Sequence, residues 1–408
     1  MNLLSKEYLG KSVHETEQVK VLTIDGIKKN YKVYKVDIDL LYYNTRNDRI
    51  ASYIFEHSDT DYEAMNKKEL NEKIQAFITS SNADNLKKTK ISIQNRGQDI
   101  AGVSLKDGRV IDGNRRFTCL RMIQNEKHEN QYFETVILEE DINDDRKRLK
   151  KLELNVQHAI EEKIEYNPID RYVGLYNDII RDEMFTIPEY AKETGRLKPN
   201  GQPDANYVKG EVDKAKLMVE FLQTFNMKDK FHIARELNMG GPLYEFNQVI
   251  KNIKDEDEKE IIKQIMFTTE LVKPQPETKH LYRNIGKIMK SKEKDNFLED
   301  AGSLSLEVQE EVKKKNTTID ASFIRENIRA DEPLKTKFRS MIIEYHESAN
   351  IKKQKEKVID DFKKINSILD TINRQKVKDL DKNNKNELEF LLKEIEGKLK
   401  DISKVMEG

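Results

Sequence analysis

Strand-forming patterns are confined to the first third of this 408-residue chain, and helical patterns dominate the rest. Before residue 140, alternating and β-branched runs are separated by turn signals such as Asp25-Gly26 and Lys106-Asp107-Gly108. From about Arg146 onward, apolar residues recur at helical spacing, and proline is scarce at 8 residues. The sequence therefore predicts an α+β head followed by a mainly α-helical region.

The length favours several domains, because single domains average roughly 150 residues. Loop signals at Pro199–Pro203 and Pro274–Pro276 indicate breaks within the helical region. The predicted order is N-terminal strands and an extension over 1–30, the head over 31–145, helical domains over 146–250 and 251–345, and a C-terminal helical hairpin or coiled coil over 346–408.

Composition limits the partners of the chain. Charged residues make up 36% of it, yet the formal net charge is −1, which excludes a generally basic nucleic-acid coat. The single cysteine, Cys119, cannot form an intramolecular disulfide and favours a reducing compartment. No segment approaches the roughly 18 apolar residues of a membrane span, and the first residues lack a signal-peptide run. We expect a cytoplasmic protein without a membrane segment.

Two apolar stripes mark the C-terminal part. Residues at three- and four-residue spacing run from Val358 to Ile372 and again from Leu388 to Val405, on either side of the polar segment Asp381–Asn384. Each stripe spans about three heptads, so the pattern fits both a packed helical pair and a dimer seam between two copies. A homodimer is the expected assembly.

The strongest chemical signal is Val110-Ile111-Asp112-Gly113-Asn114-Arg115-Arg116. A strand ends, a glycine turns the chain, and two arginines follow in the first turn of a helix. Free backbone N–H groups and the positive helix end attract phosphate oxygens, and arginine adds planar, permanently charged donors. Gly113 allows close approach of the backbone. This segment predicts an anion-binding loop.

The context of this loop resembles the ParB family within the ParB/sulfiredoxin-like superfamily. Asp112–Arg116 resembles the family's Gly-Glu-Arg-Arg box, and Asn44–Arg49 resembles its Asn-Pro-x-Gln-Pro-Arg segment. Asn95–Ile100 resembles its phosphate loop, and Leu154–His158 resembles its Glu-Asn-x-Gln-Arg box, followed by a similar Tyr166–Asp170. The four motifs occur in the family's order over about residues 31–175.

The resemblance implies CTP binding, usually with Mg²⁺, and a clamp-like dimer on DNA. By position, Gly97 and Gln98 would line the phosphates, and the Asp112–Arg116 loop (Asp112, Gly113, Asn114, Arg115 and Arg116) would hold them. Asn155 would approach the metal and the triphosphate.

Two departures from the family pattern affect catalysis. Leu154 stands where the family has Glu, and leucine offers no oxygen to a hard cation. Glu153 is adjacent but is expected to point about 100° away on a helix. His158 replaces the family's Arg. We therefore expect nucleotide binding with very slow hydrolysis. Sulfiredoxin chemistry is not expected, because Asn114 occupies the place of the catalytic cysteine.

A DNA-reading element is also predicted. Phe185–Gly195 resembles the first helix and turn of a helix-turn-helix, and a second helix is expected from about Asp204 to Leu217. Lys209, Lys214 and Lys216 could face DNA phosphates. A plain helical bundle fits the same pattern.

Two other functions remain open. A ParB-type head could serve a nuclease or a phage-defence effector, which would need metal-binding carboxylates converging near the loop, with Asp99, Asp107 and Asp112 as candidates. A helical scaffold with a vestigial head is the third possibility. The scattered histidines show no metal-ligand spacing, and no Walker loop is present in the sequence.

Overall fold

The computed structural model describes residues 1–45, 50, 54, 60–62, 64–81, 83–140, 145–158, 167–314 and 319–407. Within these ranges, the strands are β1 (Val13–Ile24), β2 (Ile27–Asp37), β3 (Tyr42–Tyr43), β4 (Gly102–Leu105), β5 (Arg109–Asp112) and β6 (Tyr132–Leu138). They form one sheet in the order β1-β2-β6-β4-β5-β3. The predicted α+β head is confirmed at this level.

The sheet is mixed. β1–β2, β2–β6 and β4–β5 pair antiparallel, whereas β4–β6 and β3–β5 pair parallel. Asp25 and Gly26 both have positive φ, at 53° and 75°, as a two-residue hairpin turn between β1 and β2 requires. The parallel pairs bring the ends of sequence-distant strands to the same edge of the sheet.

Helices cover both faces of the sheet. They are α1 (Lys67–Ser81), α2 (Ala83–Arg96), α3 (Asn114–Lys127) and α4 (Arg146–His158). Leu70 and Ile74 of α1 and Phe117 of α3 pack on one face, and Leu152 and Val156 of α4 pack on the other. The head is thus a three-layer sandwich in which α3 and α4 lie on opposite sides.

The helical body follows. Its helices are α5 (Pro168–Leu175), α6 (Ile187–Glu193), α7 (Ala205–Thr224), α8 (Phe231–Glu236), α9 (Gly240–Ile250), α10 (Glu256–Val272), α11 (Lys279–Ile288), α12 (Lys294–Lys314) and α13 (Ala321–Phe323). They bury one large apolar core. Asn167, Thr186 and Asp204 cap α5, α6 and α7 with side-chain oxygens that accept backbone N–H groups. No described helix is long and apolar enough to cross a membrane.

The chain ends in α14 (Glu332–Thr371), α15 (Arg374–Lys378) and α16 (Lys382–Glu407). The first half of α14 packs into the body through Phe338 and Ile342. Beyond residue 350, the side chains of all three helices are almost entirely exposed. The predicted C-terminal helices are present, but their apolar stripes are not buried against each other.

Candidate anion-binding site

Three of the four motif segments, as far as the structure describes them, meet at one edge of the sheet. Because β3 and β5 are parallel, with Tyr43 opposite Val110, Asn44 and Asp112 leave the sheet side by side. β4 runs antiparallel to β5 and pairs Val103 with Asp112, so the loop before Gly102 lies at the same edge. Topology therefore gathers three sequence-distant segments around the start of α3.

Two glycines make this edge compact. Gly113 caps α3 with φ 97°, in the left-handed region that favours glycine. A Cβ on Gly113 would lie 2.8 Å from the Cζ atom of Phe133. A Cβ on Gly102 would lie 2.7 Å from the carbonyl oxygen of Asp112. The two backbones can approach this closely only because neither residue has a side chain.

The Asp112 carboxylate forms ion pairs with two positively charged side chains at this edge of the sheet. Its Oδ2 atom lies 3.4 Å from Nη2 of Arg116 and 3.6 Å from Nζ of Lys20. Arg116 also donates to the carbonyl of Ile100, and Lys20 donates to the carbonyl of Ala101, each at 2.5 Å. Two positive charges and one negative charge leave a formal excess of +1. Burial lowers the pKa of Lys20, while Asp112 acts to raise it.

Sequence reasoning did not identify Lys20. The strand pattern could have indicated it, because Lys20 lies on the same side of β1 as Leu22 and Ile24, which are both buried. A lysine at an inward position of a strand needs a partner, but the sequence does not reveal that the partner is Asp112.

Asn114 and Arg115 complete the start of α3. Asn114 is buried, and its Oδ1 atom accepts no hydrogen bond within the described part of the chain. Arg115 is partly exposed and close enough to Cys119 to affect its ionisation. Burial raises the pKa of the Cys119 thiol to about 11, and the thiol donates to the carbonyl of Leu86. Cys119 is therefore a protonated core residue, which offers no basis for thiolate chemistry.

Gly97 and Gln98 have structural roles here. Gly97 ends α2 with φ 78°, and its N–H donates to the carbonyl of Ile93. The Gln98 side chain pairs with the backbone of Glu134, accepting its N–H at 3.0 Å and donating to its carbonyl at 2.6 Å. These contacts fix the loop that supplies the carbonyls of Ile100 and Ala101.

The expected directions of Glu153 and Asn155 on α4 are reversed. Asn155 accepts the N–H of Asp25 at 3.2 Å and donates to Glu193 at 2.7 Å, so its amide serves the β1–β2 hairpin turn. Glu153 is fully buried, and its Oε2 atom accepts from Nδ2 of Asn44 at 3.4 Å. Residues two positions apart on a helix point about 200° apart around its axis, so only one of Glu153 and Asn155 can face this edge of the sheet.

Glu153 belongs to a buried polar cluster. Nζ of Lys150 lies 3.8 Å from Oε2 of Glu153 and 3.5 Å from Oδ2 of Asp178. All three side chains are almost inaccessible to solvent. Asp178 lies in a π-helical segment, Tyr176–Arg181, that continues α5. The cluster joins the edge of the sheet, α4 and the helical body.

The described residues do not form a protein-held metal site. Asn155 is engaged at the hairpin, and Glu153 faces Lys150, whose charge competes with a cation. No group of three metal-binding side chains occurs in the described ranges. Asp107 lies at the opposite end of β5 from Asp112, and its Oδ2 atom accepts a hydrogen bond from the Tyr42 hydroxyl at 2.7 Å. Asp99 is exposed to solvent. The three candidate carboxylates of the nuclease hypothesis therefore do not converge.

The predicted helix-turn-helix contains both expected helices, α6 and α7, but α7 is a central helix of the body. Its buried side includes Val212, Leu217 and Phe221. Lys214 is buried, forms an ion pair with Glu211 and lies 5.5 Å from the centre of the Tyr172 ring. Lys209 and Lys216 are exposed on a narrow stripe that also carries Asp213 and Glu220.

Parts of two motifs lie outside the described residues. These are Arg46–Arg49, Tyr166 and the side chains of Gln157 and His158. No protein-family model, curated protein or solved structure matches this chain.

Proposed function

We propose that the head binds a nucleoside triphosphate at the start of α3 and that the nucleotide acts as a ligand switch in a DNA-associated, ParB-like protein. The observation that carries the proposal is the arrangement of Lys20 and Arg116 around Asp112, beside the buried amide of Asn114. CTP is the nucleotide that the motif resemblance favours.

Electrostatics favour an anion here. Lys20, Arg116 and Asp112 together carry a formal +1, and Arg115 adds a second positive charge in the first turn of α3. Backbone N–H groups at a helix start have no intrahelical acceptor and add a positive dipole end. Phosphate oxygens can use the same donors that now face Asp112 and the two loop carbonyls. The low solvent exposure of Lys20 and Arg116 strengthens such contacts.

The segments around the site explain how binding could act as a switch. Lys20 comes from β1, the carbonyls of Ile100 and Ala101 from the loop after α2, and Arg116 from α3. A triphosphate that contacts all three favours the arrangement in which they converge. Asn44 connects this edge to Glu153 and thereby to the helical body.

The proposal of DNA association is supported by the motif resemblance more than by the charges on α7. The exposed stripe of α7 pairs two lysines with two acidic residues, so its local charge is balanced. Any DNA contact there would use Lys209 and Lys216. The nuclease alternative lacks converging carboxylates in the described residues, and a helical scaffold with a vestigial head would not need the cations around Asp112.

Isothermal titration of the full chain with CTP, ATP, GTP and UTP, each with Mg²⁺, tests the proposal. We expect one triphosphate to bind near its physiological concentration and its monophosphate to bind far more weakly, because the site recognises phosphate charge. The absence of binding by all four nucleotides would contradict the proposal and leave the scaffold function.

A further inference from the structure

The C-terminal arm, defined as residues 351–407, exposes two apolar stripes. Its large apolar side chains include Ile351, Val358, Ile359, Phe362, Ile365, Ile368, Leu369 and Ile372 on the first segment, and Phe390, Leu391, Leu392, Ile395, Leu399, Ile402, Val405 and Met406 on the second; all are between 37% and 83% exposed. Monomeric proteins rarely expose continuous apolar patches larger than a few hundred Å². The stripes therefore require a covering surface.

The spacing on α16 is that of a coiled coil. Leu388, Leu392, Ile395, Leu399, Ile402 and Met406 alternate four- and three-residue steps without interruption. These residues occupy successive d and a positions of the heptad repeat, which places them on one seam. Leu391 and Val405 widen the seam at the g positions, as in helices that contact more than one neighbour.

The distal half of α14 follows the same register. Ile351, Val358 and Ile365 occupy d positions, with Phe362 and Leu369 at a positions, and Ile372 follows as the non-helical residue that ends the helix. Lys355 occupies the remaining a position. A single lysine at an a position selects register and oligomeric state at some cost in stability. Ile368 widens this stripe at g, so both helices of the arm suit a multi-helix bundle.

The size of the arm suits a dimer. With a rise of 1.5 Å per residue and a helix width of about 10 Å, the two stripes present roughly 700 Å² per chain. Specific dimers bury about 800 Å² per partner. The two segments, 351–371 and 382–407, are also similar in length, which lets four helices from two chains align along most of their length.

The root of the arm is fixed to the body. The Glu293 carboxylate forms an ion pair with Lys352 and accepts a hydrogen bond from the Ser348 hydroxyl at 3.0 Å. Nζ of Lys292 lies 2.5 Å from Oε1 of Glu356. The body thus holds the start of the arm in place while the distal stripes stay uncovered. A partner that approaches the exposed stripes does not have to displace the body.

We propose that a second copy of this chain covers the arm, and that the two arms form a four-helix bundle. The arm has 15 basic and 12 acidic side chains, interspersed along both helices. A strongly acidic or basic partner would select a face of one sign, whereas mixed charge of low net value permits two identical arms to associate. This proposal does not depend on nucleotide binding.

Light scattering and sedimentation of the full chain measure the assembly. We expect a species of twice the 47.9 kDa chain mass that dissociates on dilution. The double variant Ile395→Lys with Ile402→Lys places charge on the seam and should raise the dimer dissociation constant at least about 100-fold.

Matched variants separate the seam from general charge effects. Glu394→Gln with Asp401→Asn makes the same change in formal charge one position away on the same helix, outside the seam, and should leave the dissociation constant within about threefold. Phe362→Lys with Leu369→Lys tests the α14 stripe independently, with helix content checked by circular dichroism.

Three outcomes would overturn the proposal. One is a wild-type chain that remains monomeric at all concentrations, including a monomer that copurifies with a different protein. Another is a dimer that both seam variants leave intact. The third is a dimer weakened equally by the seam variants and the charge-matched control.

Discussion

The Nζ atom of Lys20 lies 3.6 Å from the Oδ2 atom of Asp112, and Nη2 of Arg116 lies 3.4 Å from the same oxygen. One buried carboxylate thus orients two cations that come from β1 and α3. Such an arrangement is preorganised, because the cations are held before a ligand arrives. Asp112 also restrains the positions of Lys20 and Arg116, so we expect replacement of either side chain to have its own measurable effect on nucleotide binding.

Arg115→Ala and Arg116→Ala should each weaken nucleotide binding. Removal of one charged hydrogen-bond donor costs about 1.5–3 kcal/mol of affinity. Both arginines are only partly buried, so neither change leaves a large core cavity. Titration calorimetry measures the loss. Lys127→Ala, at the exposed far end of α3, removes one positive charge from the same helix and should have little effect. Wild-type affinity in both arginine variants would show that phosphate binds elsewhere.

Nucleotide affinity should decline in alkaline solution through Lys20. Burial lowers the pKa of Lys20 from the ordinary 10.5, whereas a bound phosphate would raise it again. Between the two pKa values, binding takes up a proton, so affinity falls by at most tenfold per pH unit as pH rises. Phosphate is already fully charged above about pH 7.5. Titrations up to about pH 10 should show the decline in wild type and its absence in Lys20→Met.

Hydrolysis of the bound nucleotide should be very slow or absent. The described residues offer Mg²⁺ no group of three ligands, so the metal would be held mainly by phosphate oxygens and water. Phosphate release from purified protein measures turnover. Brisk Mg²⁺-dependent hydrolysis that Arg115→Ala abolishes would contradict this expectation. Glu153→Gln would then test whether the carboxylate beside Asn44 serves the metal.

Leu154→Glu should destabilise the protein and should not restore turnover. Leu154 is 1% exposed and packs in the core of the helical body, so a glutamate there would bury a carboxyl group among apolar side chains. The expected cost is at least about 3 kcal/mol in the free energy of unfolding. Leu154→Met, which conserves volume, should cost about 1 kcal/mol or less. Denaturant unfolding of both variants checks the difference, and equal stability would place Leu154 at the surface.

DNA binding by α7 should depend on two lysines. Replacing Lys209 and Lys216 with Gln should reduce the magnitude of the slope of log affinity against log salt by about 2. Lys313→Gln with Lys314→Gln removes the same charge from the exposed end of α12 and serves as the control. Fluorescence anisotropy over a range of salt measures both slopes. An unchanged slope in the α7 variant would place the DNA surface elsewhere.

Local structure could be predicted from this sequence because local chemistry determines it. The Asp25-Gly26 turn, the strands around Lys106–Gly108 and the helix after Gly113 all follow from residue-specific backbone preferences. The same reasoning located the loop from Asp112 to Arg116. These features depend on neighbours in sequence and need no knowledge of the sheet order.

The partners of the loop could not be predicted, because strand order determines them. Lys20 reaches Asp112 only through the strand order, in which β1 pairs with β2, β2 with β6 and β6 with β4. The directions of Glu153 and Asn155 likewise depend on how α4 is rotated against the sheet. A helical pattern shows which residues share a face, but α4 has two apolar faces, so the pattern alone leaves its rotation open.

Those two faces of α4 have a consequence for how the protein can be divided. Leu152 and Val156 complete the core beneath the sheet, while Leu154 completes the core of the helical body. A truncation before Arg146 would leave the sheet with an open apolar face, and a fragment that starts at Arg146 would expose the side chains of Leu152 and Val156. The head and the body therefore share one helix and are expected to unfold in a single cooperative step rather than to act as separable modules.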